Sequence, residues 1–138
     1  MKLIPPNSLL FVVRGMILAH SFPAVINTVK VTINQDMKAL QPSVPECIDF
    51  LLLCCRGFKP RMLENVERST HGTCKLETEK LTEFVIGLPP LAEQKRIVAK
   101  VEELMRWCDQ LEAQLAAAET AGAGLLDASL QQILASVA

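Results

Sequence analysis

The sequence lacks the features that mark several classes of protein. It has no tyrosine, one tryptophan and only 4% aromatic residues in 138. A base-stacking platform for single-stranded nucleic acid is therefore not expected, because such platforms stack bases on aromatic side chains. No apolar run reaches the roughly eighteen residues of a membrane helix, and Arg14 and Gly15 interrupt "SLLFVVRGMILAH". The same run, preceded by Pro5-Pro6, does not fit a signal peptide, so no membrane partner is predicted.

Motifs for catalysis and metal binding are also missing. There is no glycine-rich phosphate loop, no pair of metal-binding histidines and no GxSxG turn. His71 adjoins Ser69 and Thr70, but the members of a catalytic triad are gathered in space rather than placed side by side in sequence. The cysteines are odd in number and form no CxxC pair, which favours a reduced cytoplasmic protein; they are Cys47, Cys54, Cys55, Cys74 and Cys108. We expect no enzyme, no metal site and no cofactor.

The composition is that of a folded chain whose two parts differ in charge. Half of the residues are hydrophobic and 21% are charged, which is typical of a globular protein. Residues 1–90 carry ten Lys and Arg against eight Asp and Glu, a net +2, whereas residues 91–138 carry four against seven, a net −3. The two parts therefore present different surfaces to their partners.

Residues 1–88 predict short strands with a few short helices. The apolar run "LLFVVRG" predicts a buried strand, and the alternation of Val29, Val31 and Ile33 with polar residues predicts a half-exposed strand. The stretch "ECIDFLLLCCRGF" has helical spacing and predicts a short helix that ends near Gly57. "LETEKLTEF" predicts one or two further helical turns. The prolines of "VIGLPP" predict an extended segment.

From Leu91 the pattern becomes that of a long helix. Apolar residues recur at spacings of 4, 3, 4, 3, 4 and 3, which is a coiled-coil heptad pattern; we call this row the heptad seam, and it consists of Ile97, Val101, Leu104, Cys108, Leu111, Leu115 and Ala118. Gly122 and Gly124 each cost about 1 kcal/mol relative to alanine in a helix. They predict a break near residue 119, followed by a second, short amphipathic helix. The heptad seam must pack on the second helix, on another copy of the chain, on a different protein or on residues 1–88. Because the second helix is less than half as long as the first, we favour packing on another chain.

Residues 56–75 form the most basic stretch, with a local charge of +3. Lysine and arginine neutralise phosphates, and short polar side chains reach phosphates or base edges. The residues that we predict to contact DNA are Lys59, Arg61, Arg68, Ser69, Thr70, His71 and Lys75, with Asn34 and Gln35 as lesser candidates that could read adenine. Two other interpretations remain open at this stage. A patch of this charge is often a solvated face, and residues 34–36 also suit a turn that ends a strand.

Several motifs together resemble the C-terminal portion of a specificity subunit of a type I restriction–modification system. They are "RG" after an apolar strand followed by "INQDMKAL", the loop "STHG", the joint "GLPPLAEQKRIV" leading into a long helix, and the tail "LLDASLQQILA". The resemblance covers essentially the whole chain. It implies a non-catalytic protein that reads double-stranded DNA through target recognition domains, separated by helices that act as a spacer. It also implies docking of methyltransferase subunits, which use S-adenosylmethionine, and of restriction subunits.

The resemblance therefore predicts an α+β fold in which a partial β-rich target recognition domain is followed by a long coiled-coil-type helix and a short helix. Residues 1–88 are expected to be the C-terminal part of the recognition domain, and residues 89–138 the conserved helical region. The chain is much shorter than a full subunit, so we expect either a half-subunit that pairs as a homodimer through the long helix or a fragment. The alternative function is a dimerisation and subunit-docking remnant that no longer binds DNA.

Overall fold

The computed structural model describes residues 3–69 and 72–137, with side chains up to residue 135. The chain divides into two compact units, Met1–Val98 and Ala99–Ala138. Within the described residues, seven strands and three short α-helices lie in the first unit. In chain order the elements are β1 (Leu3–Ile4), β2 (Leu9–Val12), β3 (Ala24–Ile26), β4 (Val31–Thr32), β5 (Met37–Leu40), α1 (Ile48–Gly57), α2 (Lys59–Glu64), β6 (Val66–Arg68), β7 (Cys74–Leu76), α3 (Thr78–Thr82) and α4 (Leu91–Val137).

Strand β2 organises the first unit. It lies between β3 and β5 in an antiparallel sheet, with Leu9 opposite both Ile26 and Leu40. Residues 9–11 are buried, as the continuous apolar run predicts, because a strand that packs on both faces has no polar side. Two smaller antiparallel pairs, β1 with β4 and β6 with β7, accompany this sheet.

The predicted strand around Val29–Ile33 is wrong in extent, because only Val31 and Thr32 are extended there. Asn27 explains the interruption. Its side-chain oxygen accepts a hydrogen bond from the Ser8 N–H at 2.8 Å, and its amide donates to the carbonyls of Pro5 and Val29 at 2.7 and 2.8 Å. These bonds hold a turn at residues 27–30, since buried polar groups must be satisfied. Val29 is left 63% exposed instead of contributing to an apolar face.

The core of the first unit lies where the β2 sheet, α1, α2 and β7 meet. Helix α1 ends at Gly57, as predicted, although only Ile48 and Phe50 of this helix are buried. The buried cluster combines residues far apart in sequence; it contains Leu9, Phe11, Val13, Leu18, Phe22, Ile48, Met62, Cys74 and Leu76. Burial of apolar surface on this scale is the main stabilising term for a small domain.

Helix α4 is one continuous helix of 47 residues. The α+β class with a long C-terminal helix is confirmed, but the predicted break and the separate short helix are wrong. Gly122 and Gly124 do not adopt the left-handed conformation of a helix C-cap. Alanine, leucine and glutamine around them are strong helix formers, so two costs of about 1 kcal/mol do not end the helix. No helix within the described residues is long and apolar enough to cross a membrane.

The start of α4 is fixed by the residues of the "LPPLAEQ" joint. Residues 85–90 are neither helix nor strand, as their prolines predict. The buried side chain of Gln94 donates from Nε2 to the carbonyl oxygen of Pro89 at 2.8 Å. The backbone N–H groups of Glu93 and Gln94 both donate to the carbonyl of Pro90, at 2.9 and 3.0 Å. The joint therefore holds the first helical turn through a side chain as well as through the prolines.

Candidate nucleic-acid interface

A β-bulge shapes the end of β2. The N–H groups of Val13 and Arg14 both donate to the carbonyl oxygen of Asp36, at 2.8 and 3.2 Å. Two residues opposing one is the pattern of a bulge, which bends a strand and changes the direction of a side chain. Val13 remains in the core, whereas Arg14 is exposed. The bulge thus brings an arginine to the surface directly after the most buried strand of the sheet.

The same strand end is joined to β7. The Gly15 N–H donates to the carbonyl of Cys74 at 2.9 Å, and the Leu76 N–H donates to the carbonyl of Val13 at 2.8 Å. The turn between β4 and β5, the residues after β2 and the loop between β6 and β7 are therefore neighbours. We call their combined surface the loop surface; it consists of residues 14–17, residues 34–36, and Ser69, Gly72 and Thr73.

Asn34 and Gln35, two of the predicted DNA-contacting residues, lie in the turn between β4 and β5. The Asn34 side-chain oxygen accepts from the Asp36 N–H at 3.1 Å, and its amide donates to an Asp36 carboxylate oxygen at 3.2 Å. This is the turn considered as the alternative interpretation, in which a short polar side chain caps local backbone groups. Both side chains are exposed, so a role in base contacts stays a prediction.

Ser69 occupies the loop of the β6–β7 hairpin. Its N–H donates to the carbonyl of Thr73 at 3.0 Å, and its carbonyl accepts from the Gly72 N–H at 2.9 Å. Gly72 has a φ of 82°, a left-handed conformation that glycine adopts without strain. Thr70 and His71, which we also predicted to contact DNA, lie outside the described residues.

The cations near this surface differ in their surroundings. Lys75 pairs across the strands with Arg14 on one side and Glu67 on the other, and its ammonium forms an ion pair with Glu77. Within residues 3–69 and 72–137, no ion pair involves Arg14 or Arg68. Opposite charges directly across strands offset one another. The positive potential on and beside the loop surface therefore depends on Arg14 and Arg68 more than on Lys75.

The remaining predicted cations, Lys59 and Arg61, lie on α2 rather than on the loop surface. The Arg61 guanidinium carbon lies over the rings of Phe58 and Phe84, 5.8 and 5.2 Å from their centroids. Aromatic rings attract a cation and hold its orientation while leaving its outer edge in water. Arg61 is exposed and could still donate hydrogen bonds outward.

Arg14 is the residue on this surface that our choice of site residues missed. Its only sequence signal is an arginine that follows an apolar strand and precedes a glycine. Its position beside Lys75 depends on pairing between segments sixty residues apart, which no local pattern encodes.

The second unit presents an apolar row to solvent. Leu104, Leu111 and Leu115 of the heptad seam are 44%, 64% and 62% exposed. Cys108 is exposed as well, and Val101 is half-buried. Ile97, the first residue of the heptad seam, is half-buried and lies in the first unit. Beside the row, the Lys100 ammonium lies 5.2 Å from the centroid of the Trp107 ring and 2.9 Å from a Glu103 carboxylate oxygen. The described residues of this unit therefore do not bury the heptad seam.

Comparison with known proteins identifies the class to which this fold and this surface belong. The family model of the type I restriction modification DNA specificity domain matches residues 2–118, so the chain belongs to that family. The resemblance seen in the sequence motifs is thereby confirmed. The chain is also 33% identical over 97 residues to the specificity subunit of the type I restriction enzyme EcoR124I/EcoR124II of Escherichia coli. That match covers 70% of this chain and 24% of the subunit, so the chain spans about a quarter of its relative's length.

Proposed function

We propose that the chain is the non-catalytic DNA sequence-recognition component of a type I restriction–modification complex. Family membership supports this role, and the loop surface is the observation that carries it. That surface combines Arg14, an exposed amide turn and a hydrogen-bonded serine loop, and Arg68 precedes this loop at the end of β6. Neither arginine forms an ion pair within the described residues. Arginine side chains suit phosphates and guanine, and amide side chains suit adenine.

In this proposal residues 1–88 contribute part of a target recognition domain, and residues 89–138 form the helical spacer. The predicted DNA-contacting residues on the loop surface and at its edge are Asn34, Gln35, Arg68, Ser69 and Lys75, to which we add Arg14. Thr70 and His71 stay predicted contacts on the sequence alone, since they lie outside the described residues. Lys59 and Arg61 on α2 would contribute phosphate contacts, because their charges act on the DNA backbone without needing precise alignment with base edges.

Salt dependence of DNA binding tests the proposal. Each phosphate neutralised by a cation adds about 0.9 to the slope of log affinity against log salt concentration. We expect Arg61→Ala combined with Arg68→Ala to lower that slope by up to about 1.8, measured by gel-shift titration of the complex assembled with its methyltransferase subunits. Lys30→Ala combined with Lys80→Ala removes two exposed cations elsewhere on the first unit and is the matched control. An unchanged slope in the arginine variant would show that these residues do not contact DNA.

The heptad seam supports a second part of the proposal, namely that the helical region assembles subunits. A helix with an apolar row in water gains stability when another helix covers the row. Because the chain spans about a quarter of its relative, a second copy would supply a second recognition unit and a second helix. We propose a homodimer through the heptad seam, with methyltransferase and restriction subunits docking on the helical region. The five free cysteines suit assembly in a reduced cytoplasm.

The exposed heptad seam equally fits the alternative function, a dimerisation and docking remnant that no longer binds DNA. A light-scattering mass combined with gel shifts at two salt concentrations separates the two functions. A dimer with salt-dependent DNA affinity supports the recognition component. A dimer without DNA affinity supports the remnant, and a monomer without DNA affinity contradicts both.

A further inference from the structure

Two apolar side chains stand exposed in the middle of the loop surface. Met16 is 64% exposed and Ile17 is 49% exposed, whereas the next residue, Leu18, is only 1% exposed. All three belong to the single 3-10 turn Met16–Ala19 that follows the bulge. Large apolar residues displayed together next to a polar surface often mark a binding site.

Backbone hydrogen bonds and the buried Leu18 keep Met16 and Ile17 exposed. Gly15 enters the turn with a φ of 137°, which suits glycine, and its N–H is bonded to Cys74 of β7. Within the turn, Ile17 accepts hydrogen bonds from the N–H groups of His20 and Ser21 at 3.2 and 2.9 Å. With Leu18 anchored in the core, Met16 and Ile17 cannot turn inward without breaking the turn. The backbone that carries the two side chains is therefore held in place, which reduces the part of the entropy cost of binding that comes from ordering the backbone.

The surroundings of the pair indicate the chemistry of its partner. Arg14 precedes it in the chain, and within the described residues this arginine has no ion pair. The Asn34 turn adjoins Arg14 through the Asp36 carbonyl, and the Ser69 loop adjoins Gly15 through β7. A partner must therefore offer a negative charge, hydrogen-bonding edges and a small apolar group within a short distance. The major groove of DNA offers all three, because the C5 methyl of thymine lies beside base edges and phosphates.

We infer that Met16 and Ile17 form an apolar contact with thymine methyl groups in the major groove and so contribute to sequence specificity. This inference rests on the proposed function as a DNA-recognition component. In this arrangement Arg14 contacts the backbone beside the apolar pair. The pair adds discrimination rather than charge, so its removal lowers affinity without changing the salt dependence.

Removing the methyl groups from the DNA tests this contact directly. The 138-residue chain is first used to select binding sequences from a pool of randomised duplexes. Affinity is then measured for a selected duplex and for the same duplex with deoxyuridine in place of thymine. One methyl group taken out of an apolar contact corresponds to about a fourfold loss. We expect that loss for the wild-type chain and no loss for Met16→Ser combined with Ile17→Ser.

Two further variants control for indirect effects. Met16→Leu combined with Ile17→Val keeps the apolar contact and should retain the response to deoxyuridine. Val29→Ser removes a side chain that is 63% exposed, close to the value for Met16, but lies beyond the opposite end of β2. It should leave both the affinity and the deoxyuridine response at wild-type values. Circular dichroism of each variant checks that the fold is kept.

The outcomes separate the inference from the proposed function. If the wild-type chain enriches a sequence but the serine variant loses as much affinity as the wild type on deoxyuridine substitution, the thymine contact is wrong and DNA recognition stands. A wild-type chain that enriches no sequence contradicts both. An enriched sequence whose affinity responds to deoxyuridine only when Met16 and Ile17 are present supports both.

Discussion

The two units of this chain treat their apolar residues in opposite ways. Among the described residues, every buried hydrophobic side chain lies between Ile4 and Leu76, where strands and short helices enclose a common core. In the second unit, by contrast, leucines along α4 are 44–71% exposed. The first unit has the composition of a domain that folds by burying its own side chains. Most helical stability in proteins comes from packing rather than from propensity, so we expect association with another surface to stabilise the second unit.

The largest effect is expected for substitutions that prevent α4 from packing on another helix through the heptad seam. Leu104→Asp combined with Leu111→Asp places two carboxylates in the heptad seam, and burying a carboxylate without a partner costs several kcal/mol. We expect loss of self-association, measured as a fall in light-scattering mass, and a red shift in the emission of Trp107, the only tryptophan.

The control for that variant adds the same two charges elsewhere on the helix. Gln110 and Ala113 lie about 240° and 180° from Leu104 of the heptad seam at 100° per residue, so Gln110→Asp combined with Ala113→Asp should leave the mass unchanged. If the seam variant also keeps its mass, another surface mediates association.

A slightly smaller loss of free energy is expected for a substitution in the core of the first unit. Leu18→Ala removes a side chain that is 1% exposed, and such changes cost about 2–5 kcal/mol. Hydrogen exchange followed by mass spectrometry should show faster exchange in β2 and β7 and no change in α4 beyond residue 99. Val29→Ala, at an exposed site, should leave exchange unaltered. Equal acceleration in both units would show that they unfold together and would break the contrast between them.

The third prediction concerns the continuity of α4. A Cβ atom added at Gly122 or Gly124 meets no atom within 4 Å. Gly122→Ala and Gly124→Ala should therefore each stabilise the helix by about 1 kcal/mol, measured as a higher thermal midpoint by circular dichroism at 222 nm. Alanine at a left-handed helix end would instead be strained. Destabilisation by either substitution would thus support the break that the sequence predicts.

The smallest effect is expected from the thiols, which also differ between the units. Cys54 and Cys55 line an apolar cavity of about 110 Å³ in the first unit, whereas Cys108 is exposed on α4. Burial, with a further contribution from Cys54, raises the pKa of the Cys55 thiol from 9.0 to about 11. The unfolded chain therefore loses this proton at lower pH than the folded chain, and the free energy of unfolding falls as the pH rises from 9 to 11.

Urea unfolding at pH 8.5 and 10.5 measures this dependence. Cys55→Ala should reduce the fall in the free energy of unfolding, and Cys108→Ala should leave it unchanged. An identical fall in both variants would show that the Cys55 thiol is not responsible.

The sequence predicts those parts of this molecule that repeat locally. The apolar run at Leu9 and the seven-residue rhythm from Ile97 each carry their own periodicity, so the strand and the helix are found as predicted. The extent of α4 beyond residue 119 is not, because helix propagation is cooperative and outweighs two glycines. The turn at Asn27 is missed for another reason. Its cause is a set of hydrogen bonds to Pro5 and Ser8 about twenty residues away.

In the candidate site, too, some residues can be predicted from local sequence and others depend on contacts between distant segments. The basic stretch points to the β6–β7 loop, since lysine and arginine density can be counted from the sequence alone. Arg14 and Gly15 lie beside that loop because they pair with Lys75 and Cys74, which only the folded chain displays. Met16 follows Gly15 directly in the chain. Lys59 and Arg61 illustrate the converse, because residues close to the basic loop in sequence lie on a separate helix.

The position of Asn27 has a practical consequence for protein engineering. Its hydrogen bonds to Pro5 and Ser8 fix the chain just before β2, while the loop surface begins just after β2. The residues that hold this strand are thus separated by its length from the residues that face outward after the bulge. We expect that the turn at residues 34–36 and the segment joining β6 to β7 can be exchanged with those of relatives while the anchoring end is kept. Strand β2 would keep its position while the loop sequences vary. Variants could then be screened for altered DNA-sequence preference without changes to the core.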